Sequence, residues 1–483
     1  MRDVSKDIFL NSIICPSFGW LIRNDKVKKT TNIGDKFRME QGLEIGKRSR
    51  MIYPDGILID DKDIITASEK TKTLMSNPKN NILFEATFSI DEYVCKADVL
   101  IREKGGWHLV EVKSSVNDKS DFIDDMAYTA MVIQKCGYSL SKISLMLISR
   151  DFRLGMKNKD LFTYYEHTDE VLERVEQFKQ YWESVEESTK TADKPETSLR
   201  FECKKCSLFA DCEKKNFENH IFDLPRLSKT KFELLTDLGI FCIEDIPEKF
   251  KLTANQERVR QCVISKKISI SDELASSLNS LIWPVFYLDF ESMSTAIPPY
   301  PDIAPYEKIP TQYSVHKYHE FGGKLDHFEY ISDPSKDCRR MLAEKLIEDM
   351  KGEGSILVYS NFEKTILNIL SDLFPDLKEK LESITQRFVD LESIIRNNFY
   401  HPDFHGSTSI KVTLPVLVPS MTYDGLDVAD GDTAMAEFAF MAQGKYNQSQ
   451  IEKIRKDLLE YCKQDTLAMV KLHEKLFEYV NTR

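Results

Sequence analysis

The pattern of hydrophobic and polar positions switches between strand-like and helix-like stretches, which predicts a mixed α/β protein. Residues 98–102 and 108–113 are two strand-like runs, and the Gly-Gly pair between them predicts a two-residue hairpin turn. Further along the chain, residues 285–291 alternate as another strand. Residues 458–476 carry apolar side chains at helical spacing, which predicts a long helix near the C-terminus.

The same pattern divides the chain into three predicted domains. Residues 1–215 are mixed α/β and end in a cysteine-rich segment. Residues 216–283 are helical in pattern, and Gly239 between two apolar stretches is typical of a helix-hairpin-helix module. Residues 284–483 begin with a strand and end in the long helix. We therefore expect two α/β domains joined by a small helical module.

Composition narrows the classes of function. Of the 483 residues, 42% are hydrophobic, which is enough for packed cores. The chain has no run of eighteen apolar residues and no signal-peptide pattern, so we expect a cytoplasmic protein without a membrane partner. The net charge of −12 argues against a protein whose whole surface binds nucleic acid. Ten cysteines in a chain of this length do not indicate a disulfide scaffold.

The predicted hairpin carries the first candidate site. If Gly105 and Gly106 form the turn, Asp98 opposes Lys113, and Glu111 lies on the same face of the sheet. The valines between these positions point to the other face, toward a core. Charged side chains on one face with apolar residues behind them indicate a site, although an exposed hairpin face without function has the same pattern.

These residue types suit metal-dependent hydrolysis of a phosphodiester. Asp98 and Glu111 offer hard oxygen ligands for Mg²⁺ or Mn²⁺. Such an ion lowers the pKa of a bound water and offsets charge on the phosphate. Lys113 then orients the water or neutralises developing charge.

Four cysteines form a second set of candidate ligands. Cys203, Cys206 and Cys212 have metal-ligand spacing, because thiolates on a tight turn converge on one ion or cluster. Cys15 is a fourth candidate far upstream. Zinc accepts the same four thiolates as an iron–sulfur cluster, so both ligands stay open at this point.

Residues 1–215 resemble the RecB-like nucleases of the PD-(D/E)xK superfamily, in particular the iron–sulfur subgroup of CRISPR-associated exonucleases and the AddB nuclease domain. The residues that carry the resemblance are Cys15, Asp98, Glu111, Lys113, Cys203, Cys206 and Cys212. It implies a restriction-endonuclease-like fold and catalysis by the Asp…Glu-x-Lys set. It also implies that the four cysteines hold a [4Fe–4S] cluster.

Two stretches depart from that family. Relatives carry a histidine in the first helical motif, whereas residues 41–48 have none, and Glu44 is either a substitute ligand or a surface residue. Relatives also have a Gln-x-x-x-Tyr motif on a later helix. Gln134 and Tyr138 match it, although the glycine before Tyr138 indicates a helix end, and Tyr128 is an alternative position.

The C-terminal domain carries a second candidate site. Asp289 and Glu291 are two residues apart on a strand and share a face. Two carboxylates on one face of a buried strand are costly without a metal. Tyr461 and Asp465 are four residues apart and therefore neighbours on the long helix. Glu363 follows a strand-like segment between these two elements.

Residues 284–483 resemble the DnaQ-like, RNase H-fold exonucleases of the DEDD class, which degrade strands from the 3′ end. The residues that carry the resemblance are Asp289, Glu291, Glu363, Tyr461 and Asp465. It implies that Asp289, Glu291 and Asp465 bind two Mg²⁺ or Mn²⁺ ions and that the tyrosine positions the water. Glu363 stands where the class usually has an aspartate, and Asp390 is an alternative acid.

The whole chain also resembles an uncharacterised bacterial family that joins the two halves. The stretches that carry this resemblance are 288–291, 309–316, 406–411, 414–415 and 461–462. Within them, Tyr313, His316 and Lys411 are candidate substrate contacts, although the first two are equally compatible with ordinary strand positions.

We expect a metal-dependent deoxyribonuclease with two candidate active sites, acting on single-stranded DNA or duplex ends, with RNA left open. DNA processing, repair or phage defence is implied by analogy only. The alternative is a nucleic-acid-binding adaptor in which one or both sites are degenerate.

Overall fold

The chain passes three times between two compact units. The computed structural model describes residues 2–27, 31–212 and 217–482. Unit 1 comprises Met1–Ser198 and Ser294–Glu307, and unit 2 comprises Leu199–Met293 and Lys308–Arg483. These bounds differ from the predicted domains, because the cysteine segment and the helical module both belong to unit 2.

Unit 1 is built on a six-stranded sheet whose strands follow one another in chain order. The β1–β2 and β4–β5 pairs are parallel, and the other neighbours are antiparallel. Its strands are β1 (Ile57–Leu58), β2 (Ile82–Ile90), β3 (Tyr93–Glu103), β4 (Gly106–Val112), β5 (Leu140–Ile148) and β6 (Phe162–Glu166). Its helices are α1 (Lys6–Ile14), α2 (Pro16–Arg23), α3 (Ile33–Arg50), α4 (Ile64–Ser76), α5 (Asp121–Lys135), α6 (Thr168–Lys179) and α7 (Trp182–Lys190).

The β3–β4 hairpin has a different turn from the predicted one. Glu103 pairs with Gly106, so Lys104 and Gly105 form the turn, and Gly105 has a φ of +99°. The prediction of a turn at the two glycines was therefore wrong by one position, which shifts the pairing of the strands by two residues. Because side chains alternate with a period of two, this shift preserves which residues share a face.

Residues 294–307, the second segment of unit 1, are hydrogen-bonded to its first segment. The backbone N–H of Ala296 donates to Gln41 Oε1 at 2.8 Å, and Tyr306 Oη donates to the carbonyl of Ser114 at 2.8 Å. Ala296 is 1% exposed within a cluster that includes Val99. Residues 294–307 therefore complete the core of unit 1.

Unit 2 contains a five-stranded sheet in the order β10-β9-β8-β11-β12, with β8 at its centre. The pairs β8–β11 and β11–β12 are parallel, and the pairs with β9 are antiparallel. A separate antiparallel pair joins β7 and β13. The strands are β7 (Ser269–Ile270), β8 (Val285–Met293), β9 (Ile309–Tyr318), β10 (Leu325–Ile331), β11 (Ile356–Val358), β12 (Phe388–Asp390) and β13 (Phe399–Tyr400).

Helices cover both faces of this sheet and fill the segment before it. They are α8 (Phe209–Cys212), α9 (Lys229–Asp237), α10 (Ala254–Ser265), α11 (Glu273–Asn279), α12 (Arg339–Asp349), α13 (Phe362–Leu373), α14 (Lys378–Thr385), α15 (Leu391–Asn398), α16 (Ile410–Leu417), α17 (Gly431–Ala442) and α18 (Gln448–Asn481). Although α18 has 34 residues, none of the helices in the described ranges is both long and apolar enough to cross a membrane.

The helical module shares its core with the C-terminal helices. Phe232 of α9 and Leu274 of α11 belong to the same buried cluster as Val285 of β8 and Met469 of α18. Gly239 ends α9 with a φ of +72°, and a short 3₁₀ turn follows instead of a second full helix. The module is therefore an integral part of unit 2, which the expectation of a connector did not anticipate.

Gly406 fixes a close approach between the module and the loop before α16. Its φ is +78°, and a Cβ atom at this position would lie 1.8 Å from the carbonyl oxygen of Asp223. Only glycine avoids both the left-handed strain and the steric overlap.

We expect Gly406→Ala to destabilise unit 2 by about 3 kcal/mol, because the backbone strain and the overlap add. Gly425→Ala is the matched control, since Gly425 has a φ of +89° but open space around its Cβ position. The control should cost only about 1 kcal/mol. Urea unfolding of the two variants measures the difference, and equal midpoints would contradict the steric explanation.

Candidate functional site

The polar face of the unit 2 sheet positions the C-terminal candidate site. Asp289 and Glu291 alternate along β8, and their cross-strand partners on β9 are Ser314 and Gln312. Phe286, Leu288 and Phe290 pack in a separate cluster, as the alternation predicted. β8 is the central strand of the sheet, and the stretch that carries the two carboxylates is paired with β9.

Helix α18 is fixed to this polar face by buried hydrogen bonds. Gln312 Nε2 donates to the carbonyl of Leu458 at 2.6 Å. Ser314 Oγ and His316 Nδ1 both lie 2.8 Å from Thr466 Oγ1. These bonds set the position of the helix along the sheet and thus of the site residues between them. His316 therefore has a role inside the fold.

Four predicted carboxylates converge at this place. Ligand oxygens of Asp289, Glu291 and Asp465 all lie within 4.8 Å of one another, and no other group of three in the described residues meets that criterion. Glu363, at the start of α13, shares a hydrogen bond with Asp289. The structure therefore brings together acids from three separate stretches of sequence.

Burial and neighbouring charge oppose ionisation of this cluster. Burial, followed by the charge of Asp465, raises the pKa values of Asp289 and Glu291 well above their usual range. Burial likewise raises the pKa of Glu363 to about 7 and that of Asp465 to about 6. Hard carboxylate oxygens held this close repel one another, so the donor set fits Mg²⁺ or Mn²⁺.

Two tyrosines contact the acid on α18. Tyr461 and Tyr423 both hydrogen-bond to Asp465, and the rings are 6.2 Å apart. Tyr461 was predicted, whereas Tyr423 was missed because nothing in its local sequence marks it. The alternative acid, Asp390, caps α15 by accepting from the N–H of Ser393 at 2.9 Å, which is a local structural role.

The carboxylates line a large cavity within unit 2. Its volume is about 1320 Å³. Residues from the helical module, from α15 and from the loop before α16 complete its wall. The lining includes Arg226, Arg258, Glu363, Arg396, Ser407, Lys411, Tyr461 and Asp465. Lys411 lies in this wall, and its positive charge opposes the increase in the pKa of Asp465 that burial causes. Its contact with substrate stays a prediction.

The unit 1 site is a compact group of ion pairs. Glu111 is 3% exposed, and its Oε1 accepts from Lys6 Nζ at 2.9 Å and from Lys113 Nζ at 3.0 Å. Lys113 also pairs with Asp125 on α5. Lys6 and Asp125 were missed, because Lys6 is 105 residues from Glu111 and only the fold brings the two together.

Asp98 lies beside this group. It does not oppose Lys113 as predicted, because the hairpin register is shifted, and Oδ2 accepts instead from the N–H of Val112 at 2.7 Å. Burial and then the charge of Glu111 raise the pKa of Asp98 to about 8. Burial opposes ionisation of Glu111, but Lys6 and Lys113 outweigh it and lower the pKa.

One atom of the unit 1 site fits a cation. Glu111 Oε2 is buried and has no hydrogen-bond partner within the described part of the chain. A carboxylate oxygen in that state costs free energy unless something binds it. The acid pair of Asp98 and Glu111 therefore fits a hard divalent ion on chemical grounds.

The structure does not bring the remaining predicted residues to this acid pair. Glu44 forms an ion pair with Arg48, at 2.7 Å. Gln134 is near the end of α5, about 13 Å along the helix from Asp125. Tyr138 follows that helix and contacts Phe88 edge-to-face. The alternative, Tyr128, is fully buried, and its hydroxyl bonds to backbone carbonyls.

The four cysteines that were predicted as ligands belong to different units. Cys15, in unit 1, lies 3.7 Å from Thr197 Oγ1. Cys203, Cys206 and Cys212 belong to unit 2 and lie on consecutive short turns, where the N–H of Cys206 donates to the carbonyl of Cys203 at 3.0 Å. All four are half-buried. Thiolates at this local spacing suit a metal or cluster, and the four-cysteine set stays a prediction.

Comparison with known proteins finds similarity over a stretch that includes residues of both units. A family model described as "Domain of unknown function (DUF2779)" matches residues 286–409, which include Asp289, Glu291 and Glu363. The chain is also 26% identical over 226 residues to "Uncharacterized protein MG366" of Mycoplasma genitalium, covering 43% of this chain. It spans 34% of that relative's length. No solved structure gives a significant match.

The raised pKa values predict how stability depends on pH. Between pH 5 and 8 these carboxyls are ionised in the unfolded chain, whereas they resist ionisation in the folded cluster. Their contribution to the free energy of unfolding is therefore present at low pH and is lost as the pH rises. For a shift like that of Glu363, from 4.5 to about 7, the loss is about 3 kcal/mol. Urea unfolding of metal-free protein across this range measures it.

Two controls assign that loss to the cluster. Asp289→Asn should remove much of the pH dependence and stabilise the metal-free protein at pH 8. Saturating Mg²⁺ should restore wild-type stability most strongly at high pH, where protons no longer compete. A wild-type profile that matches that of Asp289→Asn would contradict the electrostatic account.

The cysteine set predicts a coloured protein. If the thiolates hold an iron–sulfur cluster, anaerobically purified protein is brown with broad visible absorption, and Cys206→Ser loses it. Cys242→Ser is the control, because Cys242 is a half-buried free thiol of the same unit outside the predicted set. A colourless protein that contains zinc would assign the cysteines to a zinc site.

Proposed function

We propose that this protein is a divalent-metal-dependent nuclease and that unit 2 contains its principal active site. The observation that carries the proposal is the convergence of Asp289, Glu291 and Asp465 within 4.8 Å, with Glu363 bonded to the first. Perturbed carboxyl groups in a cavity are typical of catalytic metal centres. The resemblance of residues 284–483 to DEDD exonucleases supports the same chemistry, because the acids that carry the resemblance are those that lie close together.

Each side chain of the site would have a distinct role in phosphodiester hydrolysis. Asp289, Glu291 and Asp465 would hold Mg²⁺ or Mn²⁺, which supplies an activated water and offsets charge on the phosphate. Tyr461, bonded to Asp465, orients that carboxylate and offers a hydroxyl to a water beside it. Lys411 is exposed at the cavity wall and provides positive charge for the phosphate.

We propose a second, RecB-like nuclease site in unit 1, with the cysteines holding a [4Fe–4S] cluster. Asp98 and Glu111 would hold the ion, and Lys113 would stabilise developing charge. The free oxygen of buried Glu111 supports this assignment. DNA is the proposed substrate, RNA stays open, and DNA processing, repair or phage defence is the proposed setting in the cytoplasm.

One observation favours a different role for unit 1. Both Lys6 and Lys113 already pair with Glu111, so the carboxylate is neutralised without any ion. Unit 1 would then bind nucleic acid as a degenerate domain and leave hydrolysis to unit 2. The two candidates differ in whether Lys113 is required for cleavage.

Cleavage of labelled oligonucleotides tests both sites. With Mn²⁺ or Mg²⁺, we expect wild-type protein to shorten single-stranded DNA, and Asp289→Asn to reduce that activity at least about 100-fold. The reason is that Asp289 is one of the three clustered carboxylates and also shares a hydrogen bond with Glu363. If unit 1 is an active nuclease, Lys113→Ala should abolish a cleavage activity that Asp289→Asn leaves intact. If unit 1 only binds nucleic acid, Lys113→Ala should leave cleavage unchanged.

Asp372→Asn is the matched control, because it removes an exposed carboxylate from α13, the helix that begins beside the cluster. It should retain full activity. Wild-type protein that leaves single- and double-stranded substrates intact with both metals would refute the nuclease proposal.

A further inference from the structure

The helical module contributes part of the wall of the nuclease cavity. Residues 225–226, 253–256 and 258–259 line the same cavity as Asp289 and Asp465. The sequence predicted this module only as a connector, similar to a helix-hairpin-helix, between two domains. Its position in the wall gives it access to whatever the carboxylates bind.

Three cations in that wall have no carboxylate partner. Arg226, Arg258 and Lys411 all line the cavity, and none forms an ion pair with a described acid. By contrast, Arg396 beside them pairs with Glu392. The charge of Lys411 acts on the carboxylates of Glu291 and Asp465, so Arg226 and Arg258 remain as the positive patch of this cavity.

Arg258 is the strongest of these observations. Its guanidinium is half-buried and donates to the backbone carbonyls of Arg396, at 3.1 Å, and Asn397, at 2.6 Å. It also donates to Asn255 Oδ1, at 2.8 Å. These neutral acceptors hold the group in place without neutralising it. A half-buried cation without a counter-charge costs free energy, which an anionic ligand would recover.

The positive patch is separated from the acidic cluster along α15. Asp390 caps the start of this helix, and its charge acts on Glu363. Arg396 lies six residues later, about 9 Å along the helix axis, and carries the carbonyl that Arg258 contacts. The cavity therefore has an acidic part suited to a metal ion and, beyond hydrogen-bond reach of it, a basic part suited to an anion.

We propose that Arg226 and Arg258 form a second phosphate subsite, which binds the backbone of a single-stranded nucleic acid at a phosphate other than the one being hydrolysed. This inference rests on the proposed nuclease function. The helical module is then a substrate-binding element that holds the strand while its end lies at the carboxylates.

The dimensions of the cavity favour a single strand. Its volume of about 1320 Å³ is little more than the roughly 300–1,000 Å³ of pockets that hold one drug-sized ligand. A few unpaired nucleotides are of that size, whereas a duplex exceeds it. Guanidinium groups bind phosphate through paired N–H donors, and such contacts are independent of base sequence.

Binding and cleavage of strands of different length test this subsite. The binding probe is a fluorescent eight-nucleotide single strand of DNA, with Asp289→Asn as the background to prevent cleavage. Adding Arg226→Gln should weaken binding roughly fivefold and reduce the slope of log affinity against log salt by about 0.7. Arg226 is exposed, so its loss leaves the fold intact.

Cleavage separates a binding role from a general defect. In the wild-type background, Arg226→Gln and Arg258→Gln should raise the KM for the eight-nucleotide strand with little change in kcat. Hydrolysis of a dinucleotide, which has a single phosphodiester, should be unaffected. Lys249→Gln is the matched control, because Lys249 is an exposed cation of the same module outside the cavity wall.

The outcomes distinguish this inference from the function on which it rests. If both arginine variants bind and cleave the eight-nucleotide strand as Lys249→Gln does, the subsite is refuted while the nuclease stands. Equal losses on the dinucleotide and the longer strand also refute it, because they indicate damage at the carboxylates. If wild-type protein neither binds nor cleaves any strand, the nuclease proposal and the subsite fall together.

Discussion

Mutual repulsion among the carboxylates of unit 2 is the constraint on which the rest of that unit depends. Asp289, Glu291 and Asp465 would separate if their backbones were free, because ionised oxygens a few ångströms apart in a poorly hydrated site repel strongly. The fold prevents separation by placing two of them on the central strand of a sheet. Helix α18, which carries the third, is bonded to the neighbouring strand through Thr466. The free energy of packing thus maintains an arrangement that only protons or cations relieve.

In unit 1 the charge of the buried carboxylate is compensated in a different way. Its most buried acid, Glu111, is paired with two ammonium groups, one from neighbouring Lys113 and one from Lys6, which is 105 residues away. Asp98 beside it resists ionisation. A buried charge with resident partners is stable without an ion, whereas the partners that the structure shows for the cluster of unit 2 are neutral hydroxyl and thiol groups and one exposed lysine. The two sites therefore differ in how strongly their electrostatics demand a metal.

The sequence predicted the local parts of both sites and missed the parts made by tertiary contacts. Alternation placed Asp289 and Glu291 on one strand face, and helical spacing paired Tyr461 with Asp465, because both periods are properties of the backbone. The turn of the β3–β4 hairpin was misplaced, since two adjacent glycines allow more than one turn. Lys6, Asp125 and Tyr423 were missed because no local pattern records a contact across many residues. The unit boundaries escaped prediction for the same reason, since hydrophobic clusters, and not composition, decide which segments pack together.

The return of residues 294–307 to unit 1 affects the order in which the molecule can mature. During synthesis the ribosome releases residues 1–198 first, yet the hydrogen bond from Ala296 to Gln41 cannot form until the nascent chain has grown well beyond them. The first part of unit 2 emerges in the interval, before its own central strand has any partner. The two units are therefore interdependent during synthesis. Part of the apolar surface of a nascent unit 1 stays uncovered until residues 294–307 are made, which is after Asp289 and Glu291 of the other unit.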